Sequence, residues 1–292
     1  MSADTPPALK TPTTYEEQVQ LLRSRGLHIP DTETAKQILR NVNYYRFSAY
    51  LLPFRVTGSE QYAEGTTLNR VYSIYEFDQR LRSLIVSALE PIEIMLRTRI
   101  AYYHAHTYGA DGYMNSANFE DCSRHDEFIE EFNSVVMKNS KSLIVQHHGI
   151  NYGGRFPIWV AVELFSFGIL SKIYANMRPE DRRQIAQDLG QGPEHLKSWF
   201  RCLAYLRNLC AHYARLYYEN MRSLPRLPRG KPEIASGRVF DIVYVMKFLY
   251  PDLGKWRSSI LRELQALVGE YGDNVDLECI GFPAKWYELL AK

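Results

Sequence analysis

The sequence has 292 residues, of which 46% are apolar and 23% charged, with a formal net charge of +2. These are globular values and exclude the disordered, fibrous and collagen-like classes. The near-neutral balance excludes a chain that is basic throughout, so any contact with a polyanion must come from local clusters.

Residues 1–12 are rich in Pro and Thr and read as a flexible N-terminus without the apolar core of a signal peptide. Thr13 with Glu16, or Thr14 with Glu17, can form a capping box. That predicts a helix burying Val19 and Leu22 and stopping at Gly26. Asp31 can cap a second helix, DTETAKQILRNV. The aromatic stretch from Tyr44 to Leu52 reads as core, and Pro53 ends or turns it. The longest periodic segment starts near Thr67. Val71, Tyr75, Leu81, Leu84, Ile85, Ala88 and Leu89 recur at helical spacing, Pro91 should kink or divide the helix, and Gly109 should stop it.

A shorter helix is expected from about Arg124 to Val145, with HHGINYGGRF as a loop. His104, His106, His147 and His148 read as solvated. Pro157 suits the first turn of a helix running to Met177, apolar on most sides, with Glu163 as its polar intruder. A short helix follows over Pro179–Leu189. The next helix spans about 193–220, and a loop rich in Arg and Pro continues through Gly237. Helices near Arg238–Tyr250 and Lys255–Tyr271 come last, and the end is expected to pack back through Trp286 and Leu289. No repeat, alternating strand pattern or Gly-rich phosphate loop appears. The reading is an all-α fold, one helical domain over 13–292. No apolar run is long enough to cross a bilayer, and Glu90 and Glu93 interrupt the nearest candidate, SLIVSALEPIEIML. Cys122, Cys202, Cys210 and Cys279 fit neither a zinc site nor a secreted disulfide framework, and read as reduced thiols of a cytoplasmic protein.

The segment PEHLKSWFRCLAYLRNLCAHYARLYYEN carries the sharpest chemistry. At about 100° per residue, Trp199, Leu203, Leu206, Cys210, Tyr213 and Tyr217 form one apolar stripe. Arg201, Ala204, Asn208, Ala211, His212 and Arg215 share another sector, with Arg207 at its edge. Ala204 and Ala211 would let a second backbone approach closely. Such a cluster suits phosphate chemistry. A guanidinium matches phosphate oxygens, an imidazole can move a proton near neutrality, and an Asn amide can hold a substrate oxygen or orient the His. An Arg and a His five apart also arise by chance, the His as a helix-surface residue and the Arg as a salt-bridge residue. Spacing alone leaves both readings open. No nearby set of carboxylates or thiols marks a metal site, which favours metal-independent chemistry without a cofactor. From Arg222 to Arg238 the chain carries Arg222, Arg226, Arg229, Lys231 and Arg238 against Glu233 alone, either a polyanion contact or a solvated loop.

At RNLCAH, Arg207 to His212, the chain resembles the Abi family of abortive-infection phage-resistance proteins, within the HEPN superfamily. The resemblance extends through YEEQVQLLRSRGLHIPD, LRNVNYYRFSAYLLPF, YEFDQRLRSLIVSALEPIEIMLRTRIAY, PIWVAVELFSFGILSKIYANM and GFPAKW. It implies a HEPN-type helical bundle with additional N-terminal and C-terminal helices, and a homodimer in which two motif helices form one composite ribonuclease site. Arg207, Asn208 and His212 would be catalytic, with Glu163 and Arg215 in support and Arg201, Arg222, Arg226 and Arg229 contacting RNA. The alternatives are a non-cleaving RNA-binding or toxin-partner module and a purely structural bundle. An inhibitory small RNA or antitoxin is a further implied partner.

Overall fold

Capping chemistry sets where the first helices begin. Thr14 Oγ1 accepts from the Glu17 backbone N–H at 3.2 Å, while Glu17 Oε2 accepts from the Thr14 N–H at 2.7 Å. This reciprocal box starts α1 (Tyr15–Ser24), which buries Val19 and Leu22. Gly26 then takes φ +88°, the left-handed turn that follows the helix end. Asp31 accepts from the Glu33 and Thr34 amides and starts α2 (Thr32–Asn41).

The computed structural model describes residues 9, 11–228 and 234–292; most of the expected flexible N-terminus lies outside them. Among the described residues the chain is all-α, with isolated bridges such as His28–Thr67 and no sheet. The chain forms two compact units. The first runs to Asp78 and takes in Tyr271–Val275; the second comprises Gln79–Glu270 and Asp276–Lys292.

In the first unit, α3 (Tyr44–Ser48) and a 3-10 stretch (Ala49–Phe54) follow α2. Phe47, Tyr50 and Leu51 are buried as expected, whereas Tyr45 is exposed. The Tyr50 hydroxyl donates to the buried Asp78 carboxylate at 2.7 Å, which meets the need of a desolvated polar pair.

α4 (Leu68–Tyr108) contributes residues to both units and runs undivided through Pro91. A mid-helix proline costs about 3 kcal/mol. Ile85, Leu89, Ile92, Leu96 and Ile100 are each buried to within 3% on the same helix. Burial of one such side chain contributes roughly 1.5–3 kcal/mol, so packing outweighs the break.

The second unit continues with α5 (Cys122–Lys138), α6 (Leu143–Tyr152), α7 (Ile158–Leu164), α8 (Phe167–Asn176), α9 (Pro179–Asp188), α10 (Pro193–Ala211) and α11 (Val239–Met246). Two expectations fail here for the same reason, an internal serine cap. Ser142 Oγ accepts from Val145 N, so a fresh helix starts and carries HHGINY, read as loop, through Tyr152. Ser166 Oγ accepts from Ile169 N at 3.1 Å, so the apolar segment from Pro157 to Met177 splits into α7 and α8. After α11 come α12 (Leu253–Lys255), a π-helical stretch (Trp256–Leu261), α13 (Arg262–Tyr271) and α14 (Trp286–Ala291). The last helix buries Leu290, with Trp286 only half-buried against Phe282. α10 packs on α8, α9 and α11. Phe200 stacks on Tyr174 at 4.9 Å, and Trp199 stacks on Phe248 at 5.7 Å.

His104 and His148 are buried rather than solvated. The His104 ring lies 4.9 Å from Tyr108 and 5.7 Å from Phe119, and neither ring nitrogen has a hydrogen-bond partner among the described residues. Burial pushes its pKa down to about 4, with Asp181 opposing. A histidine whose folded pKa is depressed leaves the unfolded chain to bind the proton first. Its contribution is therefore intact above about pH 6.5 and is lost as pH falls toward 4. The loss reaches roughly 3 kcal/mol. Urea unfolding at pH 7.0 and 4.5 should show a smaller pH effect in His104→Leu than in wild type. Parallel losses in the two proteins would contradict this account.

Candidate functional site

α10 stops where its polar chemistry begins. The His212 N–H still donates to Asn208 O at 3.0 Å, closing the last regular turn. Tyr213 N–H then donates to Cys210 O at 3.1 Å and Ala214 N–H to Leu209 O at 2.9 Å, the paired bonds of a Schellman closure. Tyr213 occupies the left-handed position, φ +57°, where glycine is usual. The helix expected to reach Asn220 thus ends at Ala211. No glycine or proline in the sequence announces the stop. A left-handed non-glycine residue costs roughly 1–2 kcal/mol. Beyond the turn Leu216 and Tyr217 are buried, and their burial offsets that cost.

The turn also sorts the two predicted faces. Trp199, Leu203, Leu206 and Cys210 are buried as one stripe. Tyr213 is 69% exposed because the chain has left the helix, and Tyr217 is buried from the following loop instead. On the polar sector Arg201, Asn208, Ala211 and His212 are exposed, while Ala204 is buried. Arg215 lies past the helix end, where its Nη2 pairs with Glu219 at 2.9 Å.

Arg207 is drawn into a chain of charges. Its Nη1 donates to Asn208 Oδ1 at 3.4 Å, and its Nε lies 3.9 Å from Glu93 Oε2 on α4. The Glu93 side chain is 12% exposed and also pairs with Arg97. Arg97 Nη2 in turn donates to Phe165 O at 2.8 Å. Glu163, on α7, is 57% exposed and lies 3.9 Å from the basic group of Arg97, which links it to Arg207 only through Glu93. The carboxylate at Arg207 is Glu93, which the sequence presents only as an interruption of an apolar run. The available signal was its i,i+4 spacing to Arg97, since a carboxylate among buried neighbours needs a cation.

Beside this cluster an open groove of about 700 Å³ runs between α8 and α10. Lys172, Lys197, Arg201, Tyr205, Asn208 and Arg226 line it, with Glu194 as the one acid among its lining residues. Lys172 is paired with Glu131 at 2.7 Å. Arg226 belongs to the loop after α10. Trp199 Nε1 donates to its carbonyl at 2.8 Å and its own N–H donates to Ser198 Oγ at 2.9 Å, which pins the loop to the helix. Arg222 is exposed and its N–H lies 3.5 Å from Tyr205 Oη, outside the groove lining. Arg229 lies outside the described residues. The structure thus brings Arg201, Asn208 and Arg226 onto one groove, sets Arg207 and His212 at the end of the same helix, and sends Glu163 and Arg215 to other partners. Among the described residues no three His, Cys, Asp or Glu side chains form a group that could hold a metal ion, and no helix is long and apolar enough to cross a membrane.

These features describe an all-α protein in which a helix ending in Arg207, Asn208 and His212 lies beside a basic groove. The chain belongs to the Abi-like protein family, whose model matches residues 37–218, a span that includes all of α10 and its closing turn. That family is associated with abortive infection, a defence of bacteria against phage. No curated protein and no solved structure matches the chain.

The strain at Tyr213 is directly measurable. Tyr213→Gly should stabilise the fold by about 1 kcal/mol, because glycine takes the left-handed position without the Cβ penalty and gives part of that back as unfolded-state entropy. A chemical denaturation midpoint that moves down rather than up would contradict the assignment.

Proposed function

We propose that this protein is an endoribonuclease of phage defence that cleaves RNA at Arg207, Asn208 and His212. The observation that carries the reading is their arrangement at one helix end. His212 is exposed one turn from Asn208, Asn208 is hydrogen-bonded to Arg207, and Asn208 also lines the basic groove. The resemblance of RNLCAH to HEPN ribonuclease motifs supports it.

In this reading the ribose 2′-oxygen attacks the adjacent phosphorus. The P–O5′ bond breaks, leaving a 2′,3′-cyclic phosphate and a 5′-hydroxyl. One histidine takes the 2′ proton and a second delivers a proton to O5′. A homodimer that pairs the exposed Asn208–Ala211–His212 faces would supply the second histidine from the other copy. Arg207 stabilises charge on the phosphoryl oxygens, and Asn208 orients either His212 or a substrate oxygen. Arg201 and Arg226 hold flanking phosphates in the groove. The reaction needs no metal or cofactor and takes place in the cytoplasm, with an inhibitory small RNA or antitoxin as a further partner. The groove also supports a second reading, a module that binds RNA without cutting it, since its cations would serve either role.

His212→Ala should lower cleavage of a defined RNA by about 10²- to 10⁴-fold while the fold and dimer survive. Arg207→Lys should rescue poorly, because an ammonium lacks the two-pronged donor geometry. Wild-type cleavage that stops with chelator and returns with Mg²⁺ would contradict the metal-free mechanism. Tight binding without cleavage would favour the second reading, and a strict monomer in light scattering would defeat the composite site.

Arg201→Glu with Arg226→Glu should weaken RNA binding and flatten its dependence on salt, because fewer counterions are released. An unchanged salt slope, measured by fluorescence anisotropy, would remove the groove from the RNA path.

A further inference from the structure

We infer that Glu93 is the positioning residue of the site, holding Arg207 in one orientation through its Nε; the inference rests on the ribonuclease reading above. Glu93 lies between two guanidiniums. Its Oε1 is paired with Arg97, and its Oε2 lies 3.9 Å from Arg207 Nε. Arg97 is not free to drift, because its Nη2 also donates to the Phe165 carbonyl at the end of α7. The Glu93 and Arg97 side chains are 12% and 15% exposed, so water competes weakly for either. A carboxylate gripped on one oxygen by an anchored cation offers its other oxygen in a nearly fixed place.

The consequence falls on Arg207. A guanidinium is planar, so a carboxylate that attracts its Nε edge also biases the direction of its remaining donors. Nη1 is additionally engaged by Asn208 Oδ1, and Nη2 has no partner among the described residues. With Nε turned to the Glu93 carboxylate, the donors at Nη1 and Nη2 are the ones left to present a two-pronged edge to a phosphate. Glu93 also separates two positive groups. A neutral side chain there would leave Arg97 and Arg207 to repel each other across a poorly hydrated gap, and Arg207, already 38% exposed, would swing toward solvent. Glu163 at the outer end of the chain, 57% exposed and 3.9 Å from Arg97, cannot replace it.

The test compares wild type, Glu93→Gln and Glu93→Asp in the full chain. On a defined RNA, Glu93→Gln should lower kcat by about 10- to 100-fold with KM little changed, the signature of a misdirected transition-state donor. Glu93→Asp keeps the charge and should recover part of the loss. A second readout needs no activity: the ¹⁵N–¹H signal of Arg207 Nε, assigned through Arg207→Lys. It should be ordered and slow to exchange with water in wild type, and mobile in Glu93→Gln, at matched melting temperatures. Wild-type cleavage with an unchanged kcat in Glu93→Gln would overturn the inference while sparing the ribonuclease reading. Absence of cleavage by wild type would sink that reading, and the Arg207 signal would still decide whether Glu93 orders it. If Glu93→Gln does not fold, a mobile Arg207 Nε in wild type alone overturns the inference, and an ordered one that loosens in Glu93→Asp supports it.

Discussion

Burial of one stripe of α10 sets the position of everything that follows it. Trp199, Leu203, Leu206 and Cys210 are each at most 4% exposed. At roughly 1.5–3 kcal/mol for each large apolar side chain, this packing outweighs any polar preference of the opposite face. Helical periodicity then dictates that Arg201, Asn208 and His212 face outward. Burial of Leu216 and Tyr217 just beyond the helix lets the chain tolerate a tyrosine in a left-handed turn at its end. The groove beside α10 follows as well, since Trp199 Nε1 pins the loop that carries Arg226.

Electrostatics supply a second layer. Alternating charges run from Glu163 through Arg97 and Glu93 to Arg207, and exposure falls toward the middle of that series. A surface pair such as Arg97–Glu163 contributes little. The inner Glu93 is different, because removing one member of a desolvated set leaves its partners uncompensated. In the proposed ribonuclease the inner part of the series orients a guanidinium, and the outer part shields it.

Much of the fold was legible because its signals are local. The Thr14–Glu17 box, the Asp31 cap and Pro179 at the first turn of α9 all mark helix starts found in the structure. Family membership was legible too, from the segments that fall within residues 37–218; YEEQVQLLRSRGLHIPD and GFPAKW lie outside the matched span. The errors arose where two local preferences compete. Ser142 and Ser166 read as ordinary helix residues, yet each caps a new helix. Pro91 reads as a break, yet the buried residues around it carry the helix through. The end of α10 had no punctuation at all, since Tyr213 takes a position that sequence rules reserve for Gly or Asn. For the candidate site, helical spacing put Asn208 and His212 together. It could not show that Arg207 meets Glu93, because that contact joins residues far apart in the chain and depends on how α4 and α10 pack.

In the proposed reaction Arg207, Asn208 and His212 cleave RNA through the ribose 2′-hydroxyl. Its most direct test is product-end analysis, by mass spectrometry, of a defined RNA incubated with the wild-type protein in chelator, beside the same RNA carrying a single 2′-deoxy residue at the cut. The first RNA should yield 2′,3′-cyclic phosphate and 5′-hydroxyl ends, and the second should not be cut at the modified position. Ends bearing a 5′-phosphate and a 3′-hydroxyl, or cleavage that persists at the deoxy residue, would contradict it.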